Sequence, residues 1–234
     1  MPSKYDNLLF AVLPHLEKHP NYLPHIGKNF EQSSQRIMIV AESHYIHEKY
    51  NGCITPKEWY ENPESIYTKI GNNKGWFNTR EVLQTYFKDK KNNTVKGGLK
   101  LFQNLEIAYK TVFKTSDLFD ECVFINYYQR PAESQGDSII IHSIDSKFAL
   151  ENILTLIDVL KLDKIIFVSS KAYDDFIANT TKKQRATLPY IGTVPHAAAS
   201  SWWNRKSSKY GIEGGLATGR EKFERIIKPK NQFI

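Results

Sequence analysis

The stretch Arg36-Ile-Met-Ile-Val-Ala-Glu-Ser-His-Tyr45 sets the fold class of this chain. Ile37 to Val40 form an unbroken apolar run rich in β-branched residues, the pattern of a short parallel strand buried on both faces. It passes without a linker into Glu42, Ser43, His44 and Tyr45, four side chains able to make polar contacts at the strand's carboxyl end. In open α/β sheets, ligands bind in the crevice beyond that end. A strand that merely ends in a polar loop is the competing interpretation, and two later segments of the same design weigh against it.

Cys122-Val-Phe-Ile-Asn-Tyr-Tyr128 and Asp163-Lys-Ile-Ile-Phe-Val-Ser169 repeat the design, and Pro189 to Val194 reads as a shorter fourth strand ending at Pro195-His196. Helical spacing fills the intervals. The first helix spans Tyr5 to Lys18 and is broken or kinked by Pro14, and a second covers Pro56 to Ile70 with its proline in the first turn. Asn78-Thr-Arg-Glu81 has capping-box spacing and opens a helix through Phe87. Amphipathic helices follow at Gly97 to Phe113 and Ser146 to Leu160. Ser170 is placed to cap a short helix, and Thr218-Gly-Arg-Glu221, a second capping box, starts a last helix to Ile227. Lys88 to Thr94 reads as a solvated loop, and His19-Pro20 and Pro24-His25 as connectors. Strands alternating with helices predict an α/β fold with a mainly parallel, four-stranded sheet. The polar strand ends are Glu42-Ser43-His44, Asn126 with Gln129 and Arg130, and His196. They share one edge of such a sheet and are expected to converge on one site.

The 234 residues suffice for one large domain with a full core. Hydrophobic residues at 41% and charged residues at 24% are ordinary for a soluble globular protein. No run approaches the roughly 18 apolar residues of a membrane span, and Met1-Pro-Ser-Lys-Tyr-Asp6 lacks a signal-peptide pattern. Two cysteines, Cys53 and Cys122, are too few for a disulfide framework. An intracellular, reducing compartment is therefore expected, the cytoplasm of a prokaryote, with no membrane partner and a monomeric state. The net charge of +7 and a pI near 9.2 favour polyanionic partners. The 13 Tyr, 13 Phe and 4 Trp interleave with the cations in a way that suits base stacking, although most must be core.

Glu42, Ser43 and His44 offer a base, a water-orienting hydroxyl and an imidazole. With His47 and Glu48 they also suggest a metal site, but the spacing matches no zinc pattern, so no metal and no cofactor are expected. A Ser-His nucleophile pair lacks its Gly-x-Ser-x-Gly elbow. Asn126 ends an apolar strand, and its amide, donor and acceptor together, suits the edge of a uracil-like base. The alternative is an amide bonded to nearby backbone. His196 precedes three alanines, whose small side chains allow close approach of a ligand. Beyond them, Ser200-Ser-Trp-Trp-Asn-Arg-Lys206 mixes hydroxyls, two Trp and two cations. Ser200, Trp202, Trp203, Arg205 and Lys206 therefore suit contacts with phosphates and a wedge into a base stack. Equally, one Trp could anchor the loop on the domain.

Taken in order, these motifs resemble the uracil-DNA glycosylase superfamily over roughly residues 36 to 228, with residues 1–35 as an N-terminal helical extension of a single 1–234 domain. Ala41-Glu-Ser-His-Tyr45 is similar to the first motif, Gly-Gln-Asp-Pro-Tyr in one branch and Gly-Glu-x-Pro-Gly in another. Leu101 to Lys110 is similar to the helix before the second strand. Val123-Phe-Ile-Asn-Tyr-Tyr-Gln-Arg-Pro131 resembles the Asn-x-x-Lys-x-Arg-Pro segment, and Val194-Pro-His-Ala-Ala-Ala199 stands where the His-Pro-Ser motif does. Ala41, Ser43, His44 and Ala197 depart from those patterns, and two cysteines cannot ligate an iron–sulfur cluster.

The resemblance implies a three-layer α/β/α sandwich and a flipped base held at the strand ends. Asn126 would read the base, with Tyr45, His44 and an aromatic such as Phe77 or Trp76 around it. His196 would donate to the carbonyl oxygen as negative charge develops. Glu42 or Ser43 would position the attacking water, and Arg130 and the Ser200–Lys206 loop would contact DNA. A DNA N-glycosylase for uracil or another damaged base is the implied activity. Two alternatives remain: a nucleic-acid or nucleotide-binding protein on the same fold, and a metal-dependent hydrolase using Glu42, His44 and His47.

Overall fold

The computed structural model describes residues 3–71, 77–114, 116–212 and 215–229. Its main sheet has five strands: β1 (His25–Ile26), β2 (Ile37–Ala41), β4 (Val123–Asn126), β6 (Lys164–Phe167) and β7 (Tyr190–Thr193), ordered β1-β4-β2-β6-β7. The four strands expected from sequence are mutually parallel. Ala41 pairs with Asn126, Val40 with Phe167, and Phe167 with Thr193, so their carboxyl ends form one row. β1 is antiparallel to β4 and was not expected. A two-stranded parallel sheet joins β3 (His44–Tyr45) to β5 (Pro131–Ala132), directly beyond the ends of β2 and β4.

Alternation along the strands sorts the core onto two faces of the sheet. Met38, Val40, Val123, Ile125, Ile165 and Phe167 pack with Ala149, Ile153 and Leu156 of the Ser143–Leu160 helix and with Phe176 of the Ser170–Ala178 helix. Ile37, Ile39, Ala41, Phe124 and Ile166 pack with the Thr79–Lys91, Lys100–Val112 and Gly219–Ile227 helices through Leu83, Leu105 and Phe223. Residues of both faces of the central strands are buried in these clusters, which is why those strands carry no polar alternation. Among the described residues, no helix is long and apolar enough to cross a membrane.

The N-terminal helical segment packs into this core. Leu9, Leu13, Leu16 and Tyr22 are buried in the first cluster. Arg80 forks onto Asp6 at 2.7 and 2.6 Å, tying the Asp6–Val12 helix to the start of the Thr79–Lys91 helix. Pro14 splits the first helical pattern into Asp6–Val12 and His15–Lys18, as expected. The Pro56–Ile70 pattern also divides, at Asn62, whose side chain caps a second piece beginning at Pro63.

Three other boundaries differ from expectation. Lys88 to Lys91 continue the preceding helix, and Lys90 reaches Glu106 at 2.7 Å. Ser169, not Ser170, caps the helix after β6. At Asn78 the side chain caps Arg80 and Glu81, but Glu81 returns to the Asn78 amide, so the reciprocal backbone bond of a capping box is replaced. The Thr218–Glu221 box forms as predicted. Lys164, buried at the start of β6, donates to the carbonyls of Ile226 and Lys228 and so closes the far end of that last helix.

Candidate functional site

The row of strand ends carries Glu42 after β2, Asn126 at the end of β4, Ser169 after β6 and His196 after β7. Backbone bonds extend the row past the formal strands: Tyr127 and Tyr128 donate to the carbonyls of Ala41 and Glu42, and Val168 to that of Val40. Glu42 is the best-anchored acid there. Its Oε2 accepts from Ser169 Oγ at 2.9 Å, and its Oε1 accepts from Ser138 Oγ and from the Ile139 amide at 3.3 Å. A carboxylate has about four lone-pair sites, so these three donors leave room for one more, such as a water. Ser43, half-buried beside it, has a hydroxyl without a partner among the described residues.

Asn126 is 5% exposed, and its side-chain amide has no hydrogen bond among the described residues. Its backbone carbonyl accepts from Gln129 Nε2 at 2.8 Å. The interpretation in which the amide bonds nearby backbone is therefore not the one observed. The amide's oxygen and nitrogen are not among the fully buried unpaired atoms, so they keep a little solvent access although the residue is 5% exposed, and they lie at the edge where ligands bind in such sheets. Strand alternation puts it on the face of Ala41 and Phe124, whereas Glu42 is drawn toward Ser138 and Ile139 in the segment between β5 and the Ser143–Leu160 helix.

His196 reaches solvent at the head of a tight turn in which Ala199 donates to its carbonyl at 2.8 Å. Its Nδ1 accepts from the Ala198 amide at 3.3 Å, so a neutral ring carries its proton on Nε2, facing outward as a donor. Protein packed around the ring lowers its pKa below the ordinary histidine range, and the Glu42 carboxylate opposes that shift. The turn is held from two sides. Asn104 donates to the carbonyl of Ala197 at 2.8 Å. At Gly219, an added Cβ would lie 2.1 Å from Pro195 Cγ, so only glycine lets the last helix start this close to the loop. A cleft of about 210 Å3 opens beside His196, lined by Ser170, Thr193, Ser201, Lys209 and Tyr210 among others.

Several expected site residues lie elsewhere. Arg130 is fully buried and forks onto Asp145 at 2.6 and 3.0 Å, with Glu133 at 2.7 Å and the carbonyls of Pro131 and Ile140 taking its other donors. It holds the loop after β4 and cannot reach DNA. Gln129 is equally buried, so these two do not join the strand-end site. Trp202 is fully buried against Phe223, 5.6 Å between ring centroids, which makes it the loop anchor and not a wedge. Phe77 is fully buried, edge-on to Trp59 at 5.9 Å, and presents no face to a base; Trp76 lies outside the described residues. His44 turns into the core, its Nε2 bonded to Thr79 Oγ1 at 3.0 Å and its ring edge-on to Tyr22 at 5.2 Å; burial lowers its pKa to about 3.

The remaining candidates stay at the surface. Tyr45 is 38% exposed, with a hydroxyl whose pKa burial and then the charges of Glu42 and Asp137 push up, which places it on the Glu42 rim. Ser200, Arg205 and Lys206 are exposed, and Trp203 is half-buried with the Arg220 guanidinium 4.8 Å over its ring.

Sequence reasoning missed Ser138, Ser169 and Asn104. Ser169 had a signal, since it follows β6 as Glu42 follows β2; Ser138, 96 residues from Glu42, had none. The Glu42-His44-His47 metal reading fails on geometry. Glu42 is occupied by serines, His44 by Thr79 and His47 by the Lys49 amide, and among the described residues no three His, Cys, Asp or Glu side chains group as metal ligands. Comparison of the sequence with models of known protein families gives no match, and comparison with curated proteins gives none.

Proposed function

We propose that this chain is a divergent relative of the uracil-DNA glycosylases, built as a three-layer α/β/α sandwich, that hydrolyses the N-glycosidic bond of uracil or another damaged base in DNA. The observation that carries this reading is Asn126, a mostly buried residue at a strand's carboxyl end whose amide keeps a little solvent access, with both its donor and its acceptor unspent. A base edge flipped out of the stack supplies the complementary pair. His196, neutral with its proton on Nε2, donates to the base carbonyl as negative charge builds on the leaving group. Glu42, with one lone-pair site to spare, and Ser43 orient the water that attacks the sugar carbon. The exposed Ser200, Arg205 and Lys206 are available to the strand's phosphates, with the half-buried Trp203 beside them.

A second reading, nucleic-acid or nucleotide binding without hydrolysis, is favoured by one observation: the cleft beside His196 is not lined by Asn126. The deciding experiment is base release from single- and double-stranded DNA containing uracil, hypoxanthine or xanthine. Under the first reading, Asn126→Ala and His196→Ala each lower release by about 100-fold or more, the scale of losing one preorganised donor, with unfolding midpoints near that of the parent protein. Full activity in both variants would sink the pocket. No release from any substrate, with salt-sensitive DNA binding retained, selects the second reading.

A further inference from the structure

We infer that the cleft at the end of β7 is a phosphate site, built by Lys209 and Tyr210 from the loop after His196 and by the hydroxyls of Ser170, Thr193 and Ser201. All five residues line the same cleft of about 210 Å3, and His196 closes one side of it. The inference goes beyond the proposed hydrolysis, since anion binding there requires no glycosidic chemistry.

Uncompensated charge is the first argument. Lys209 and Lys222 make no ion pair among the described residues, although most cations near them are engaged. Arg220 pairs with Glu224 at 2.6 Å and covers Trp203, while Arg225 donates to the Tyr210 carbonyl. Lys222 stands over the Tyr210 ring, 5.9 Å from its centroid, directly behind the cleft wall. Its pKa is lowered by burial first and then by the like charges of Lys209 and Arg225. Cations brought together without a counter-ion raise one another's energy, and a bound anion relieves that cost.

No carboxylate lies within ion-pair reach of Lys209 or Lys222 among the described residues. Glu221 turns to the amide of Thr218, and Glu224 pairs with Arg220. Glu42, the carboxylate felt by His196, keeps its charge but is directed at Ser138, Ser169 and the Ile139 amide. The second argument is the lining itself. Three hydroxyls and a lysine offer donors to the oxygens of a tetrahedral anion, the contacts by which proteins hold phosphates. Lys209 supplies the charge as a compact point cation.

One phosphate chemistry has two sources here, a backbone phosphodiester of DNA or a free phosphate such as that of a mononucleotide. Calorimetric titrations with inorganic phosphate and with a short oligothymidylate separate them. They are run on the parent protein, on Lys209→Gln and Lys222→Gln, and on Lys57→Gln, an exposed lysine of the Pro56–Glu61 helix, as the control. The parent is expected to bind at least one probe. Lys209→Gln should weaken that binding about tenfold, the equivalent of about 1.4 kcal/mol, with a smaller loss for Lys222→Gln and none for Lys57→Gln.

Competition between the two probes supports a site open to either source. Binding of the oligomer alone assigns the diester, in which case the salt slope falls by about one in Lys209→Gln; binding of inorganic phosphate alone assigns the free anion. Failure of the parent to bind either probe, or unchanged binding in Lys209→Gln, overturns the inference. Asn126→Ala keeps phosphate binding if the inference holds, so loss of base release in that variant tests the hydrolysis separately.

Discussion

Arg130 and Lys209 are both cations on loops leaving the same edge of one sheet, and their surroundings give them opposite work. Arg130 follows β4 in a segment buried from Asn126 to Ala132, and each of its three guanidinium nitrogens is directed at Asp145, Glu133 or a carbonyl. Lys209 is exposed, without an ion pair among the described residues, and lines a cleft. Residue type alone would have made the arginine the better phosphate ligand. What separates them is the supply of partners: a cation surrounded by carboxylates and carbonyls is structural, and one left without them is available to a ligand.

The contrast breaks most sharply in stability. Asp145→Asn removes the fully buried partner of Arg130, leaving only Glu133 against it, and should cost up to about 3–5 kcal/mol, read as a large fall in the urea midpoint. Lys209→Gln should stay within about 0.5 kcal/mol of the parent. An equal effect in the two variants would mean that Lys209 is structural after all.

The two neighbouring tryptophans repeat the comparison across a single peptide bond. Trp202→Ala empties a core site and should cost about 3–5 kcal/mol. Trp203→Ala forfeits the Arg220 contact, on the order of 0.5–1 kcal/mol, and should show instead as weaker DNA binding in an anisotropy titration.

Acid provides a gentler test, contrasting buried histidines with the exposed His196. Burial lowers the pKa of His15 and His19 to about 4 and that of His44 to about 3. Each takes up a proton on unfolding once the pH falls below its unfolded value, roughly 6.5. Stability is therefore undiminished by these groups above about pH 6.5 and drains away as the pH falls toward about 4. The slope is about 1.4 kcal/mol per pH unit for each fully titrating histidine. Denaturant melts between pH 7 and 4.5 measure it, and a flat profile would show that these rings accept protons in the folded state.

The sheet was legible because Ile37–Val40, Val123–Ile125 and Ile165–Val168 are covered on both faces and read as unbroken apolar runs. β1 was not, since two half-buried residues carry no periodicity. The Lys88–Lys91 run illustrates a different limit: a solvated helix end and a solvated loop have the same composition, and Lys90 is fixed by Glu106 from another helix. At the site, Glu42, Asn126 and His196 were legible as polar groups ending strands. Their partners were not, because Ser169 and Asn104 lie 127 and 93 residues from the groups they hold. Arg130, Trp202, Phe77 and His44 were misplaced for one reason. Whether an aromatic or a charge faces inward depends on what the fold brings against it, here Asp145, Phe223, Trp59 and Thr79.

The near contact between Gly219 and Pro195 has an evolutionary consequence. A single methyl group at position 219 would push on the proline next to His196, so the two positions are free to drift only together. Glycine in the first turn of the closing helix is therefore a marker that can be followed through diverging lineages even where the motif after Pro195 has changed beyond recognition. Lineages that lose it should also have rebuilt the turn that presents the histidine.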